Sequence, residues 1–302
     1  MFAFRAMNTE VTVDAPGPDE AAIAERVAAA FWHAEQRFSR FDPDSELSRL
    51  NRAEAPMQLS PELFDVLTRA RGHVERTGGL FDPGVGAALV ALGYDRSFAP
   101  GALDRACAQA AAPRAGRFLE VRLDAATRTA LRPPHLHIDL GGLVKGATVD
   151  AAAVHLGASG TLDAGGDAVL RGRGPAGTGW LVEVEDPHDA TRALLTLRIA
   201  DAAVATSAGN RRHWQVAGAT QHHLIDPRTQ RAASTDLVQA TVVAPSAELA
   251  DVLAKTAFLL GARGARDFLA PMADTGVAAV LVPACGVPVL VGALDIVEDA
   301  DG

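Results

Sequence analysis

The stretch HIDLGGLVKGATVD, residues 137–150, constrains this chain more than any other. An apolar run ends in Asp139, two glycines follow, and Lys145 opens a segment in which Ala147, Val149, Ala152, Ala153 and Leu156 recur at roughly helical spacing. A strand, a glycine turn and a helix start make a place where backbone N–H groups can meet phosphate. Lys145 adds a mobile positive charge beside it. The same pattern also serves packing alone, because glycine turns of this kind occur without any ligand. On these residues both readings stand.

The rest of the chain narrows the choice. With 302 residues there is material for one large domain or two modest ones. Apolar residues make up 48% and charged residues 22%, which is globular rather than disordered. Net charge is −9 with no block of Lys/Arg, and that disfavours nucleic acid or an anionic membrane surface as the main partner. The two cysteines, Cys107 and Cys285, exclude a disulfide framework and show no metal-like spacing. The start, MFAFRAMNTEVTV, lacks a basic residue followed by an apolar core of about 7–15 residues, so no signal peptide is readable. No run reaches the roughly 20 apolar residues of a membrane span. The expectation is a soluble cytoplasmic protein.

Residues 7–13 alternate as a half-buried strand, and 20–38 carry helical periodicity. Ser60-Pro61-Glu62 reads as a helix start and Gly78-Gly79 as a stop. A Pro/Gly-rich patch at 98–116 predicts a loop with a short helix. Strands are expected in 121–131, 161–171, 179–186, 193–199, 214–217, 238–244, 278–282 and 288–291. Ser246 caps a helix to Gly261, followed by a second short helix to Leu269. Without a regular βαβ alternation, this order predicts an α+β fold of mixed, largely antiparallel sheets with packed helices. No internal repeat or linker appears, so one domain over 1–302 is expected.

Five further segments could carry chemistry, each with an ordinary structural use. FSRFDPDSELSRLN (38–51) is an aromatic-flanked turn or simply a capped surface turn. GGLFDPGVGAALVALG (78–93) exposes backbone that could approach a flat ligand, or is a helix stop followed by packing. TLDAGGDAVLRG (161–172) is a strand broken by Gly165-Gly166, read as a bulge or a ligand approach. HHLIDPRTQ (222–230) sets His223 before an Asp-Pro turn, where it serves as a general base, a hydrogen-bond donor to phosphate or a structural residue. SAELADVLAKTAFLLG (246–261) carries Asp251 in its second turn, placed to cap electrostatically or to bind a cation.

Together, M-x-T near the start, FSRFDPDSELSRLN, GLFDPGVG, IDLGGLVKG, LDAGGD, VATSAGN, HHLIDPRT and ELADVLAKTAFLLG resemble, in order from about 7 to 261, the ApbE family of FAD:protein FMN transferases. The resemblance implies one FAD-binding transferase domain of two intertwined subdomains. It implies Mg²⁺-assisted cleavage of FAD, with FMN passed to a Thr or Ser hydroxyl of an acceptor protein and AMP released. By resemblance, Met7, Phe41, Leu80, Phe81, Asp82, Asp139, Lys145 and Ile225 contact FAD. His223, Lys145 and Asp251 are the catalytic positions, and Gly142, Asp251 and Ala254 are the metal positions.

Departures from the family pattern mark this chain. Phe41 stands where tyrosine is common, Asn8 where glycine is usual, Ser207-Ala208 for Ser-Gly, and Gln230 where glycine follows Pro-x-Thr. Lys255 stands where a threonine hydroxyl ligates the metal, and an ammonium cannot ligate Mg²⁺. Thr256 is one position on, rotated about 100° around the helix, so it does not substitute. Two alternatives to transfer therefore accompany it: hydrolysis of FAD to FMN and AMP, and FAD binding without cleavage.

Overall fold

In the computed structural model the described residues are 1–96, 104–105, 116–211, 213–216 and 219–297. Apart from residues 104–105 and 116, the patch at 98–116 lies outside them. Two compact units divide the chain. Met1–Phe31, Lys145–Ala208 and Thr235–Gly302 form the first, and Trp32–Val144 with Gly209–Ser234 the second. The chain passes between them inside or beside regular elements rather than through linkers. That is why no change of composition marks the passages.

The first unit is built on an eight-stranded sheet whose spatial order follows the chain: Phe2–Ala6, Thr9–Asp14, Gly160–Ala164, Asp167–Arg171, Ala202–Ala208, Leu237–Ala244, Ala278–Pro283 and Val289–Val291. Every neighbouring pair is antiparallel. The mixed, largely antiparallel α+β expectation holds. Alternation explains the inner face: Val11, Val13, Leu162 and Ala164 are fully buried and lie opposite one another, Val11 with Ala164 and Val13 with Leu162. Against them pack Val27 and Phe31 of helix α1 (Glu20–Phe38) and Val149, Ala152 and Leu156 at the helical spacing read from the sequence.

The strand expected over 7–13 is corrected. Met7 and Asn8 have φ of 50° and 59° and form the two-residue turn of a hairpin between Phe2–Ala6 and Thr9–Asp14. A turn with both central residues at positive φ matches the twist of its strands, and asparagine tolerates that conformation well. The 161–171 run is likewise a hairpin. Gly165 turns it at φ 63°, where a Cβ would lie 2.0 Å from Thr9 Oγ1, so glycine is required twice over.

The second unit holds α2 (Glu46–Arg52), α3 (Pro61–Arg76), α4 (Gly86–Ala91) and small sheets. Ser45 caps α2 by accepting from Ser48 N, and Ser60 caps α3 by accepting from Leu63 N, as its Ser-Pro start predicts. The buried Glu46 carboxylate ties the two caps together. It accepts from Ser60 N and Ser60 Oγ at 2.6 Å each and pairs with Arg37 Nη1 at 3.0 Å.

Candidate functional site

In the first unit the site is set by two helices. Helix α5 (Val144–Ala153) begins at the glycine turn, and helix α6 (Ala247–Leu269) runs over the sheet. As the sequence predicts, Ser246 caps α6 and Gly261 breaks it, at φ 74° and ψ 171°. Asp150 of α5 accepts from Ala247 N at 2.7 Å and Glu248 N at 2.9 Å, satisfying two orphan donors of the α6 start. A Cβ on Gly146 would lie 2.6 Å from Ala247 O, so glycine lets the two helices close. This contact sets Lys145 and Asp251 in one neighbourhood.

Lys145 extends to Asp167, with which it forms an ion pair, and donates to Ala164 O at 3.0 Å. The Asp167 side chain is only 2% exposed. Its pKa is pushed up to about 7, first by burial and then by the Asp251 carboxylate; Lys145 and Lys255 pull the other way. Burial therefore outweighs the ammonium in contact. Asp251 pairs with Lys255, one turn later, at 3.6 Å. Its other oxygen, Oδ2, is buried and receives no hydrogen bond among the described residues.

The second unit presents an acid, an arginine and aromatic rings. Asp139 Oδ1 accepts from Gly141 N at 2.8 Å, which sets the turn, and its Oδ2 is paired with Arg40. The Arg40 guanidinium lies over Phe41 at 4.1 Å and Tyr94 at 4.7 Å from the ring centroids, and donates to Tyr94 O at 2.7 Å. Phe41 meets Tyr94 edge-on, and Tyr94 lies against Trp214 with centroids 5.5 Å apart. Ile225 is buried in the same cluster. Asn51 locks the backbone ahead of the glycine turn by donating to Ile138 O and accepting from Ile138 N, both at 2.8 Å.

The remaining positions named from the sequence are placed as follows. Phe81 and Asp82 are buried and Leu80 half-buried. Burial raises the Asp82 pKa, while the N–H groups of Gly84 and Phe118 donate to its Oδ1 at 2.7 and 3.0 Å and lower it. Met7 is half-buried in its turn and His223 half-buried ahead of the buried run Leu224–Asp226. The neighbouring His222 contacts Ala233 O at 3.0 Å, a structural bond. Gly142 belongs to the second unit, whereas Asp251 and Ala254 belong to the first. Sequence reasoning missed Arg40, Tyr94, Trp214 and Asp150, and left Asp167 as a bulge or a ligand approach. Arg40 and Asp167 sit inside quoted motifs; only their burial reveals their use.

Mg²⁺ asks for about six oxygens at roughly 2.0–2.1 Å. The described side chains do not supply that set. Among the described residues no group of three or more His, Cys, Asp or Glu could hold a metal. Ala254 is fully buried and offers no side-chain ligand, and the Asp251 carboxylate already faces an ammonium.

His73, on α3, meets the Phe81 ring edge-on at 6.1 Å. Burial first, then Arg76 and Arg69, push its pKa down to about 4 from 6.5. Between those values the unfolded chain takes up a proton that the folded chain refuses, so stability falls as pH drops from about 6.5 to about 4. His73→Gln should reduce the stability lost between pH 7 and pH 5 by about 1–2 kcal/mol, at 1.36 kcal/mol per pKa unit. Urea unfolding of both proteins at the two pH values checks this; equal losses refute it.

The model of the ApbE family matches residues 7–281, crossing both units. The FAD:protein FMN transferase of Treponema pallidum is 30% identical over 269 residues, covering 82% of this chain and 73% of that protein. That of Rhodobacter capsulatus is 31% identical over 291 residues, covering 92% of this chain; the chain spans 54% of that protein, about half its length. Among solved structures, the ApbE protein of Thermotoga maritima superposes with a TM-score of 0.85 at 24% identity, over 96% of each chain. The flavin transferase ApbE of Vibrio cholerae gives 0.79 at 22%, also over 96% of each chain. Among the described residues no helix is long and apolar enough to cross a membrane. With its motifs, its antiparallel fold and a match over most of its length, the chain belongs to the ApbE family.

Proposed function

We propose that this chain is an FAD:protein FMN transferase, residues 1–302 acting as one transferase domain. The observation that carries the reading is the family match over 7–281, with relatives at 30% identity named for that activity. In the reaction an acceptor Thr or Ser hydroxyl attacks the FMN-side phosphorus of FAD. The anhydride P–O bond breaks, AMP leaves, and the hydroxyl proton passes to a base. The half-buried His223 is the base, imidazole being the side chain that most often moves a proton in catalysis.

Phosphoryl transfer asks mainly for positioning and for neutralised charge. Lys145 supplies positive charge from a fixed position, held by Asp167 and Ala164 O. The Asp139–Gly142 turn, Leu80–Asp82, Met7, Phe41 and Ile225 contact FAD, with the half-buried ring of Phe41 suited to meeting a flat ligand. Mg²⁺ is the family's expectation by resemblance, but the donor set of the described residues does not fit it.

The expected result is a mass gain of one FMN on a flavin-accepting protein mixed with the chain and FAD. No gain under any metal condition would count against transfer. FMN and AMP appearing without acceptor would mark hydrolysis, and FAD intact for hours would mark binding alone. The last reading draws its support from Lys255.

A further inference from the structure

We propose that the Lys255 ammonium is a resident cation in the first unit, standing at Asp251 where a divalent ion would otherwise sit, so that this chain neutralises phosphate charge with lysines. Its bearing on catalysis rests on the transferase reading; its bearing on metal binding does not.

Four charged groups act on one another here: Lys145, Asp167, Asp251 and Lys255. Two are cationic and two acidic, so the cluster is neutral when both carboxylates are charged and carries one positive charge when Asp167 holds a proton. A divalent ion entering it would leave at least two excess positive charges among side chains that are largely buried, Asp251 being 9% exposed and Asp167 2%. Uncompensated charge in such a place is strongly disfavoured. The Lys255 side chain, 19% exposed, is held one turn from Asp251 on the same face of α6. Its ammonium is 3.6 Å from Asp251 Oδ1, an ion-pair distance, while the buried Oδ2 has no hydrogen bond among the described residues. Two fixed ammoniums in one cluster can then face a pyrophosphate as point charges, the way lysine binds phosphate.

The test uses the full chain, stripped with EDTA, and Mn²⁺ alone as the probe, bound ion being read from loss of the free-ion EPR signal. Removing Lys255 leaves the cluster one charge negative, and site charge tunes cation affinity. Lys255→Thr and Lys255→Gln should each bind one Mn²⁺ at least about tenfold tighter than the unmodified chain. Asp251→Asn added to Lys255→Thr should abolish the gain. Two substitutions guard against a variant that misfolds, and a thermal melt checks each. Equal affinity of the unmodified chain and both variants overturns the proposal. In a transfer assay the unmodified chain should keep most of its rate in EDTA, whereas Lys255→Thr should need added Mg²⁺. A strict Mg²⁺ requirement in the unmodified chain overturns it. Absence of transfer by every version overturns the transferase reading and leaves the Mn²⁺ comparison to decide this one.

Discussion

At pH 9, where Asp167 is charged in the intact pair, Lys145→Met is expected to lower stability by about 3 kcal/mol, because removing one partner of a buried ion pair leaves the other charge uncompensated. The partner is Asp167, a carboxylate almost wholly out of water whose pKa burial pushes up to about 7. Without the ammonium it must either remain charged at that cost or take up a proton. Ala164 O loses a donor as well. For a chain of this size the melting temperature should fall by roughly 10 °C, at about 2–4 °C per kcal/mol. Asp167→Asn placed on Lys145→Met should restore a large part of the loss, since no charge then remains to be paired. Denaturant unfolding of the two single variants and the double variant measures that coupling. If Lys145→Met falls by less than about 1 kcal/mol, or the second substitution restores nothing, the pair is not a stabilising unit. FMN transfer by the folded fraction should drop by about 10²–10³-fold, the usual cost of removing one group that stabilises transition-state charge.

Arg40→Leu should have a comparable effect for a different reason. The guanidinium is 4% exposed, paired with Asp139 and stacked on the rings of Phe41 and Tyr94. Losing it strands Asp139, for about 3–5 kcal/mol by the same argument, and removes the plate on which two aromatic rings lie. Arg40→Lys keeps the charge but loses the planar fork and the stacking, so it should recover only part of the stability. The informative reading is the comparison of FAD affinity among the folded variants. Asp139 shapes the turn through Gly141 N, so both variants should weaken FAD binding beyond any loss of stability. Unchanged affinity in Arg40→Leu would show that Arg40 does not position the turn.

These residues show what was legible and what was not. Glu20–Phe38, the Ser60 and Ser246 caps and the break at Gly261 were readable because each is decided by neighbours within one or two turns. The Met7–Asn8 turn was not, because its signal is a pair of left-handed residues without glycine, and the alternation of 7–13 ran across it. Arg40 and Asp139 are 99 residues apart, so nothing local announces that one completes the other. Asp150 closes the 137–150 stretch with no local signal to mark it, yet it caps a helix 97 residues away.

The stretch 137–150 divides the two kinds of knowledge. Its residues alone determined a glycine turn and a helix, since glycine and helical period act over a few residues, whereas the strand read before the turn is a single bridge from His137 to Val85. Its company of motifs determined the family. The tertiary structure alone decided that the acid is matched to Arg40 and the lysine to Asp167, and that Gly146 brings α6 close. The physical reason is that charge pairing and close packing are settled by which groups share a desolvated space, and sequence spacing does not encode that. Lys255 belongs on that second list: as a letter it was a missing ligand, and in the fold it is a cation facing Asp251.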